Sequence, residues 1–277
     1  MLIYGMQGLG DNIYQRAFIK QLPQPIYLQT PWPELYRDMR VRFIKPDTKL
    51  RTQLKNVERN TRWAAPSFSQ QARRVSYGNE GIYTGMRRGF GVEPGSLDLP
   101  DFGRSPVDGK YAVIRPVTIR SEWRADARNP LPEYVSGAAK ILRSQGYTVV
   151  SVADLEPEKE WLVGEVPDAD IRFHAGELSV DRLLALINSA AVVVGGIGWI
   201  VPACIAAKVP TWIVCGGQGG FNHPSLITDC TMDLSKIEFA LPENYCRCTR
   251  REHECDKRII DHDKRFAEWL DRLPALV

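Results

Sequence analysis

Residues 191–214 open with Ala191-Val192-Val193-Val194-Gly195-Gly196, pass through an Ala-rich segment at 202–208 and close with Thr211-Trp212-Ile213-Val214. The two apolar runs have the length and β-branched composition of buried strands, and the segment between them is typical of a short helix. Strands that alternate with helices predict an α/β fold with a parallel sheet covered on both faces. The same alternation continues upstream, with strands predicted at 111–114, 148–152 and 170–173 and helices at 131–145 and 179–189.

The first half of the chain begins with a similar unit. Leu2-Ile3-Tyr4 predicts a strand, Gly5–Gly10 predicts a turn, and the apolar residues spaced through 13–22 predict a helix. Further short strands are predicted at 25–28 and 41–44. The chain is therefore expected to contain two α/β domains with parallel sheets, and such sheets bind ligands beyond the carboxyl ends of their strands.

Composition narrows the class of protein. The chain has 277 residues, of which 44% are hydrophobic and 25% are charged, as in ordinary globular proteins. No run of about 18 apolar residues is present, so no membrane span is predicted. The first residues lack the charged and apolar regions of a signal peptide, and we expect a cytoplasmic protein with reduced cysteines.

Charge is spread unevenly along the chain. Residues 1–105 contain 16 Lys and Arg against 9 Asp and Glu, whereas the remaining residues contain 20 against 24. The basic excess is strongest between 45 and 75, where helical and strand periodicity is also lost. This asymmetry favours a phosphate-bearing or polyanionic partner for the first half, although chance fluctuation explains it equally well.

Several segments resemble the heptosyltransferase-type glycosyltransferases, the family that adds ADP-heptose to lipopolysaccharide. Gly176–Ala190, followed by Val192–Gly196, is similar to a helix of that family and to the glycine-ended strand after it. Ala206–Pro210 and the turn Gly8–Ile13 look like two further family elements. The resemblance implies the GT-B arrangement, in which two Rossmann-like domains face each other across a cleft.

The sequence departs from the family in one motif. The family has Asp-Ser/Thr-Gly-x-x-His after the glycine-ended strand, but Gly195–Pro202 contains neither the Asp nor the His. That motif helps to hold the donor, so the choice between an ADP-sugar and a UDP-sugar stays open. The backbone N–H groups of the glycine-lined turn can still bind a diphosphate.

The resemblance also assigns roles to the domains. It implies a transferase, inverting and without a metal at its reaction centre, that moves a sugar from a nucleotide-sugar to a hydroxyl group. Residues 1–105 would form a basic acceptor-side domain and residues 106–245 the donor domain, with a cysteine cluster and a helix in 246–277. Asp11 matches the proposed base of the family, which would take the proton of the acceptor hydroxyl. The alternative is that Asp11 caps a helix.

Donor contacts are expected after the strands of the second half. Cations there would neutralise the diphosphate leaving group, since no Asp-x-Asp follows a strand at the expected cleft. Some of these arginines are equally consistent with solvated loops, and His223 with an exposed loop residue. The candidate donor residues are Arg115, Thr118, Arg120, Arg124, Arg128, Gly176, Glu177, Gly195, Gly196, Gly198, Gly217 and His223.

Cysteines crowd the segment that follows residue 245. Cys246, Cys248 and Cys255 lie within ten residues, and Cys230 precedes them. These four thiolates suit a structural zinc or iron, with His253 as an alternate ligand. Autotransporter heptosyltransferases of the same broad family carry a cysteine-ligated iron, and the resemblance therefore favours a metal site here. Free thiols or a disulfide remain alternatives.

The acceptor is expected to be anionic, either a phosphorylated glycan or DNA. Its candidate contacts are Gln7, Arg51, Arg62, Arg87 and Arg88. One alternative function is a phage-type transferase that glycosylates a hydroxymethylated DNA base, which must be flipped from the stack. Another is a nucleic-acid-binding protein without enzymatic activity. Neither the oligomeric state nor the sugar follows from the sequence.

Overall fold

The computed structural model describes residues 1–60, 62–66, 72–78 and 80–274. Two parallel sheets confirm the predicted α/β class and the two Rossmann-like halves. The first sheet has the order β3-β2-β1-β4, with β1 at Leu2–Tyr4, β2 at Ile26–Gln29, β3 at Val41–Ile44 and β4 at Ala72–Arg74. The second has the order β12-β11-β10-β5-β7-β9, with β5 at Tyr111–Arg115, β7 at Thr148–Val152, β9 at Ile171–Phe173, β10 at Val192–Gly196, β11 at Thr211–Val214 and β12 at Ile237–Ala240.

A short antiparallel ribbon, β6 (Thr118–Arg120) with β8 (Glu160–Leu162), stands beside the second sheet. The helices of the described residues are α1 (Leu9–Ile19), α2 (Arg51–Arg59), α3 (Ile82–Phe90), α4 (Pro132–Ser144), α5 (Val180–Asn188), α6 (Ile200–Ala207), α7 (Gly219–Asn222), α8 (Pro224–Ile227) and α9 (His262–Asp271). None of these helices is long and apolar enough to cross a membrane.

Local features mark the ends of two helices in the second half. The Ser179 hydroxyl accepts a hydrogen bond from the Arg182 backbone N–H and caps α5. Gly146 follows α4 with a φ of 78°, a left-handed conformation that favours glycine. Each of the predicted strands at 111–114, 148–152 and 211–214 lies within one residue of its observed bounds.

The second sheet is covered on both faces, and its strands alternate between two cores. On β5, Val113 faces the core shared with α5 and α6, while Ala112 and Ile114 face a separate core formed with α4 and α9. Helix α9 packs on α4, so the end of the chain belongs to the layers of the second half. The division of the chain at residues 105 and 245 stays a prediction.

In the first half, the stretch between 45 and 75 that lacks periodicity contains α2 and β4, and α3 follows it. Helix α3 includes Gly85, whose missing Cβ leaves room for Tyr77, because a Cβ there would overlap the tyrosine backbone and side chain. Gly89 approaches Val75 in a similar way. These glycines weaken the helical pattern in the sequence, but they let α3 pack closely on the segment that follows β4.

Contacts across the middle of the molecule hold the two halves together. Helix α1 packs against α6, and Gly10 lies so close that a Cβ would stand 3.1 Å from the Trp199 Cα. The buried Tyr14 hydroxyl donates a hydrogen bond to the Ile227 carbonyl at 2.6 Å. Both sheets consequently turn the carboxyl ends of their central strands toward a common space.

Candidate functional site

A cavity of about 970 Å³ lies between the two halves. Its first wall is the turn between β1 and α1 together with α2 and the residues just before it, and its second wall includes the segments that follow β5, β7, β9 and β10. Each sheet begins with a central strand and adds later strands on both sides, so the cavity lies at both topological switch points. Ligands of open parallel sheets bind at this position.

The turn that carries Asp11 is held by buried side chains. The Asn12 amide donates to the carbonyls of Met6 at 2.7 Å and Gly8 at 2.8 Å, and the Gln15 carbonyl accepts from the Met6 N–H at 2.8 Å. The Tyr36 hydroxyl in turn lies 3.0 Å from the Asn12 side-chain oxygen. These bonds fix the turn before any ligand arrives, as a reacting group requires.

Asp11 is the third residue of α1, and Gly8 occupies the capping position without a side-chain hydrogen bond. The Tyr77 hydroxyl donates to Asp11 Oδ1 at 3.3 Å. Burial raises the pKa of Asp11, although Tyr77, the Gly8 backbone and the charge of Arg128 act in the opposite direction. A carboxylate with a raised pKa is a stronger base, as proton abstraction requires. The hydrogen bond between Asp11 and the Gly8 backbone is also that of a residue that caps the start of a helix.

Arginines occupy the facing wall. Arg120 pairs with the buried Glu160 at 2.8 Å, and the Thr118 hydroxyl donates to the same carboxylate at 3.0 Å. No carboxylate of the described residues pairs with Arg115 or Arg128, and Arg128 Nε is buried without a hydrogen-bond partner there. Burial and then the charge of Arg120 lower the pKa of Arg115 to about 10, and the same causes lower that of Arg128. Arg115 and Arg128 thus add positive charge to this wall without a direct carboxylate partner among the described residues.

The remaining donor candidates divide into two groups. Gly176, Gly196 and Gly198 line the cavity, as do Arg115, Thr118, Arg120 and Arg128. The others do not: Arg124 pairs with Asp126, Glu177 accepts from the Ala175 N–H, Gly195 packs on Arg115, Gly217 packs under Cys255, and His223 caps α8. Each of these five is used by a local contact, so their predicted contact with the donor is not supported.

The predicted acceptor residues are mostly engaged elsewhere. Gln7 lines the cavity. Arg51 is buried against Glu160 at 2.8 Å and Glu156 at 3.1 Å, Arg87 pairs with Asp229 at 2.8 Å, and Arg88 pairs with Glu80 at 2.5 Å. Arg62 is exposed and does not line the cavity. Of the five, only Gln7 keeps its predicted place, because carboxylates already neutralise three of the arginines.

A second cluster lies in the loop after β12. Cys246, Cys248, His253 and Cys255 bring one ligand atom each within 4.8 Å of one another, so His253, the alternate ligand, completes the group. Cys230 is not part of it; its exposed thiol lies 3.8 Å from Asp229 Oδ1. The sulfurs of Cys248 and Cys255 are 3.6 Å apart, too far for a disulfide and close to the ~3.8 Å between two sulfurs on a tetrahedral zinc. The four residues therefore fit a tetrahedral metal ion.

Tyr77, Thr249 and Arg251 are among the cavity residues that the sequence does not single out. Tyr77 lies in a segment without periodicity, and its approach to Asp11 depends on the packing against α3. Thr249 and Arg251 reach the cavity from the cysteine loop. The sequence does draw attention to these two residues, because both lie between proposed metal ligands. That their loop folds onto the cleft is visible only in the tertiary structure.

No family model matches the sequence, and no curated protein matches it. Solved structures match it in fold. A glycosyl transferase family 9 protein from Veillonella parvula aligns over 98% of this chain and 96% of its own, at 14% identity and a TM-score of 0.60. The ADP-heptose lipopolysaccharide heptosyltransferase II of E. coli aligns over 98% and 97%, at 13% identity and 0.56.

The iron-containing dodecameric glycosyltransferase TibC from enterotoxigenic E. coli is also similar, at 15% identity and a TM-score of 0.53. That alignment covers 76% of this chain, which spans 56% of the length of TibC. At these identities the similarity establishes the fold. The GT-B-like arrangement expected from the sequence is thereby confirmed.

Proposed function

We propose that this protein is a glycosyltransferase that moves a sugar from a nucleoside diphosphate sugar to a hydroxyl group, with inversion at the anomeric carbon. The proposal rests on one observation: a carboxylate and a group of arginines face each other across one cavity. A half-buried carboxylate, Asp11, lies on one side, and the arginines Arg115 and Arg128 lie on the other. A general base and an anion site in one cleft are what such a transfer requires.

In the proposed step, the Asp11 carboxylate takes the proton of the acceptor hydroxyl as its oxygen attacks the anomeric carbon. The new carbon–oxygen bond forms while the bond from that carbon to the diphosphate oxygen breaks, and the diphosphate leaves with the bonding electrons. Arg115, Arg120 and Arg128 balance the charge that develops on it. The proton then passes from Asp11 to water.

The donor is proposed to be an ADP- or UDP-sugar. A structure of TibC holds ADP-D-β-D-heptose, and the E. coli transferase of the same fold is described as acting with ADP-heptose. In this chain, Gly198 lies open at the start of α6, where backbone N–H groups can meet a diphosphate. The nucleoside would extend toward Gly176 and Phe173 at the end of β9.

The acceptor is proposed to be a hydroxyl compound small enough to enter the cleft beside Gln7 and Trp32. The ion pairs of Arg51, Arg87 and Arg88 reduce the free positive charge on the first half. A DNA acceptor would require many free phosphate contacts. We therefore favour a glycan acceptor over DNA.

A panel of nucleoside diphosphate sugars tests the proposal. Binding of the donor should raise the melting temperature in a concentration-dependent way, and the protein should slowly release the nucleoside diphosphate by transfer to water. The control is the set of nucleoside monophosphates with the same bases, which lack the second phosphate. If no diphosphate sugar changes the melting temperature or is turned over, the proposed function is wrong.

We also propose that Cys246, Cys248, His253 and Cys255 hold a zinc or iron ion, as TibC is described as iron-containing. Four protein ligands leave no open position for substrate, so the ion would supply stability rather than chemistry. Elemental analysis should find close to one metal per chain. Cys246→Ser and Cys248→Ser should lose it, whereas the buried Cys204→Ala and the exposed Cys230→Ser should keep it. Full metal content in the Cys248 variant would overturn the assignment.

A further inference from the structure

The cysteine loop, residues 246–255, lies directly on the donor wall of the cleft. The Gly219 N–H donates to the Cys246 carbonyl at 2.8 Å, and the Gly220 N–H donates to the Cys248 carbonyl at 3.0 Å. The Ala127 N–H donates to the Arg251 carbonyl at 2.9 Å, immediately before Arg128. The loop is thus joined by its backbone to both segments that flank the arginine wall.

The glycines after β11 fit this loop rather than a ligand. A Cβ on Gly217 would overlap the Cys255 sulfur, and a Cβ on Gly220 would overlap the Thr249 side chain. A Cβ on Gly219 would stand 2.8 Å from the Cys246 carbonyl oxygen. Gly217, Gly219 and Gly220 therefore form the surface on which the cysteine loop packs, and the loop itself presents side chains to the cleft.

Two side chains of the loop, Thr249 and Arg251, line the cavity beside Arg128. The Arg251 guanidinium stacks over the Trp123 ring at 4.1 Å from its centre and has no carboxylate partner among the described residues. Its charge acts on Arg128, because it contributes to the lowered pKa of that residue. Arg115, Arg128 and Arg251 thus converge on one cavity, and the buried Nε of Arg128 has no partner there.

Resting on the proposed function, we infer that Arg251 is a further diphosphate-binding residue, and that metal binding by the cysteine loop positions it. The four ligands bracket Arg251 on both sides in sequence, so an ion bound to them fixes the backbone that carries this arginine. Diphosphate and metal then stabilise the same loop conformation. Binding of one must raise the affinity for the other by the same factor, as thermodynamic linkage requires.

The test measures nucleotide affinity rather than turnover. Isothermal titration with ADP, UDP, GDP and CDP first selects the diphosphate that the metal-loaded wild type binds most tightly. Arg251→Ala should weaken that diphosphate about tenfold or more, the monophosphate less, and the nucleoside not at all, since the lost contact is charge-assisted. Arg250→Ala is the matched control, because Arg250 lies on the outer surface groove rather than in the cleft, and it should bind like the wild type.

A second experiment measures diphosphate affinity after the metal has been removed. Protein stripped with a chelator should show a similar loss of diphosphate affinity, and stripped Arg251→Ala should show little further loss, because both changes remove one interaction. If the stripped protein unfolds, the reverse measurement decides: the diphosphate should slow metal loss to the chelator in the wild type but not in Arg251→Ala.

The outcomes separate the two hypotheses. Diphosphate binding by Arg251→Ala within about twofold of the wild type overturns the role of Arg251 and leaves the transferase proposal standing. Equal metal loss with and without diphosphate overturns the coupling. Failure of the wild type to bind any nucleoside diphosphate overturns the inference together with the proposed function.

Discussion

The two halves of the molecule share one plan but differ in how they are stabilised. The described part of the second half has six parallel strands, with helices on both faces and two buried cores, one of which continues into the first half. The described part of the first half has four short strands, and several of its charged side chains find their partners in the second half. Arg51 reaches Glu160, and Arg87 reaches Asp229. The first half is therefore completed by contacts across the cleft.

This difference assigns separate tasks to the two walls. The first half supplies the carboxylate Asp11 on a turn fixed by its own buried polar network. The second half supplies the arginines that face it, and it also provides the acidic groups that hold the first half in place. Chemistry, donor binding and the join between the halves should respond to different substitutions.

The largest effect is expected at the base. Asp11→Asn should lower turnover about 100-fold or more, because proton abstraction is lost, while diphosphate affinity stays close to that of the wild type. Steady-state kinetics and titration measure the two quantities separately. Asp47→Asn, on the exposed rim of the same cavity, is the control and should keep its turnover. Near-normal turnover of Asp11→Asn would remove Asp11 from the mechanism.

The join between the halves should be the next most sensitive feature. Arg51→Ala leaves the carboxylate of Glu160, which is 1% exposed, with Arg120 as its only remaining arginine partner among the described residues. We expect a loss of about 2 kcal/mol in the free energy of unfolding, somewhat less than for a fully broken buried pair. Chemical denaturation measures it, with Arg88→Ala as the surface control at below about 0.5 kcal/mol. Equal stability of the two variants would mean that the halves do not depend on this pair.

A loss of donor binding should be separable from the loss of turnover in Asp11→Asn and from the loss of stability in Arg51→Ala. Arg128→Ala should weaken the nucleoside diphosphate about tenfold and the nucleoside hardly at all, whereas turnover at saturating donor should fall less than in Asp11→Asn. Arg143→Ala, an exposed residue of α4 paired with Asp170 at 3.0 Å, is the control. Equal weakening of nucleoside and diphosphate by Arg128→Ala would argue against a phosphate contact.

The sequence predicts the second half far better than the first, and the reason is physical. Strands such as β5 and β11 are buried on both faces, so their sequences are nearly continuous apolar runs. Strand β4 reads Ala-Arg-Arg and lies at the edge of the first sheet, where no such run is needed. Helix α3 carries glycines because Tyr77 and Val75 approach it closely.

The same reasoning explains which site residues could be predicted. Asp11 and Arg128 follow recognisable strands, so the sequence places them at the carboxyl edges of the sheets. The partners of Arg51 and Arg87 are more than 100 residues away, and an arginine in the sequence does not show whether a carboxylate will neutralise it. Arg251 reaches the cleft only because a loop after the last strand folds back over the glycine turn.

The smallest expected effect concerns the second ion pair between the halves and its dependence on pH. The hydrogen bonds of Arg87, followed by those of Thr231, lower the pKa of Asp229 to about 2 from an ordinary value of 3.8. A depressed carboxyl pKa stabilises the folded state above the unfolded value, and that contribution disappears as the pH falls from about 4 to about 2. Asp229→Asn should therefore cost about 1 kcal/mol at pH 6, reduced by the partial exposure of the pair, and almost nothing at pH 2. Denaturation of both proteins across this range measures the difference, and Asp108→Asn in the exposed pair with Arg104 should stay within about 0.5 kcal/mol of the wild type throughout. A difference that stays constant from pH 6 to pH 2 would show that Asp229 contributes through its shape and not through its charge.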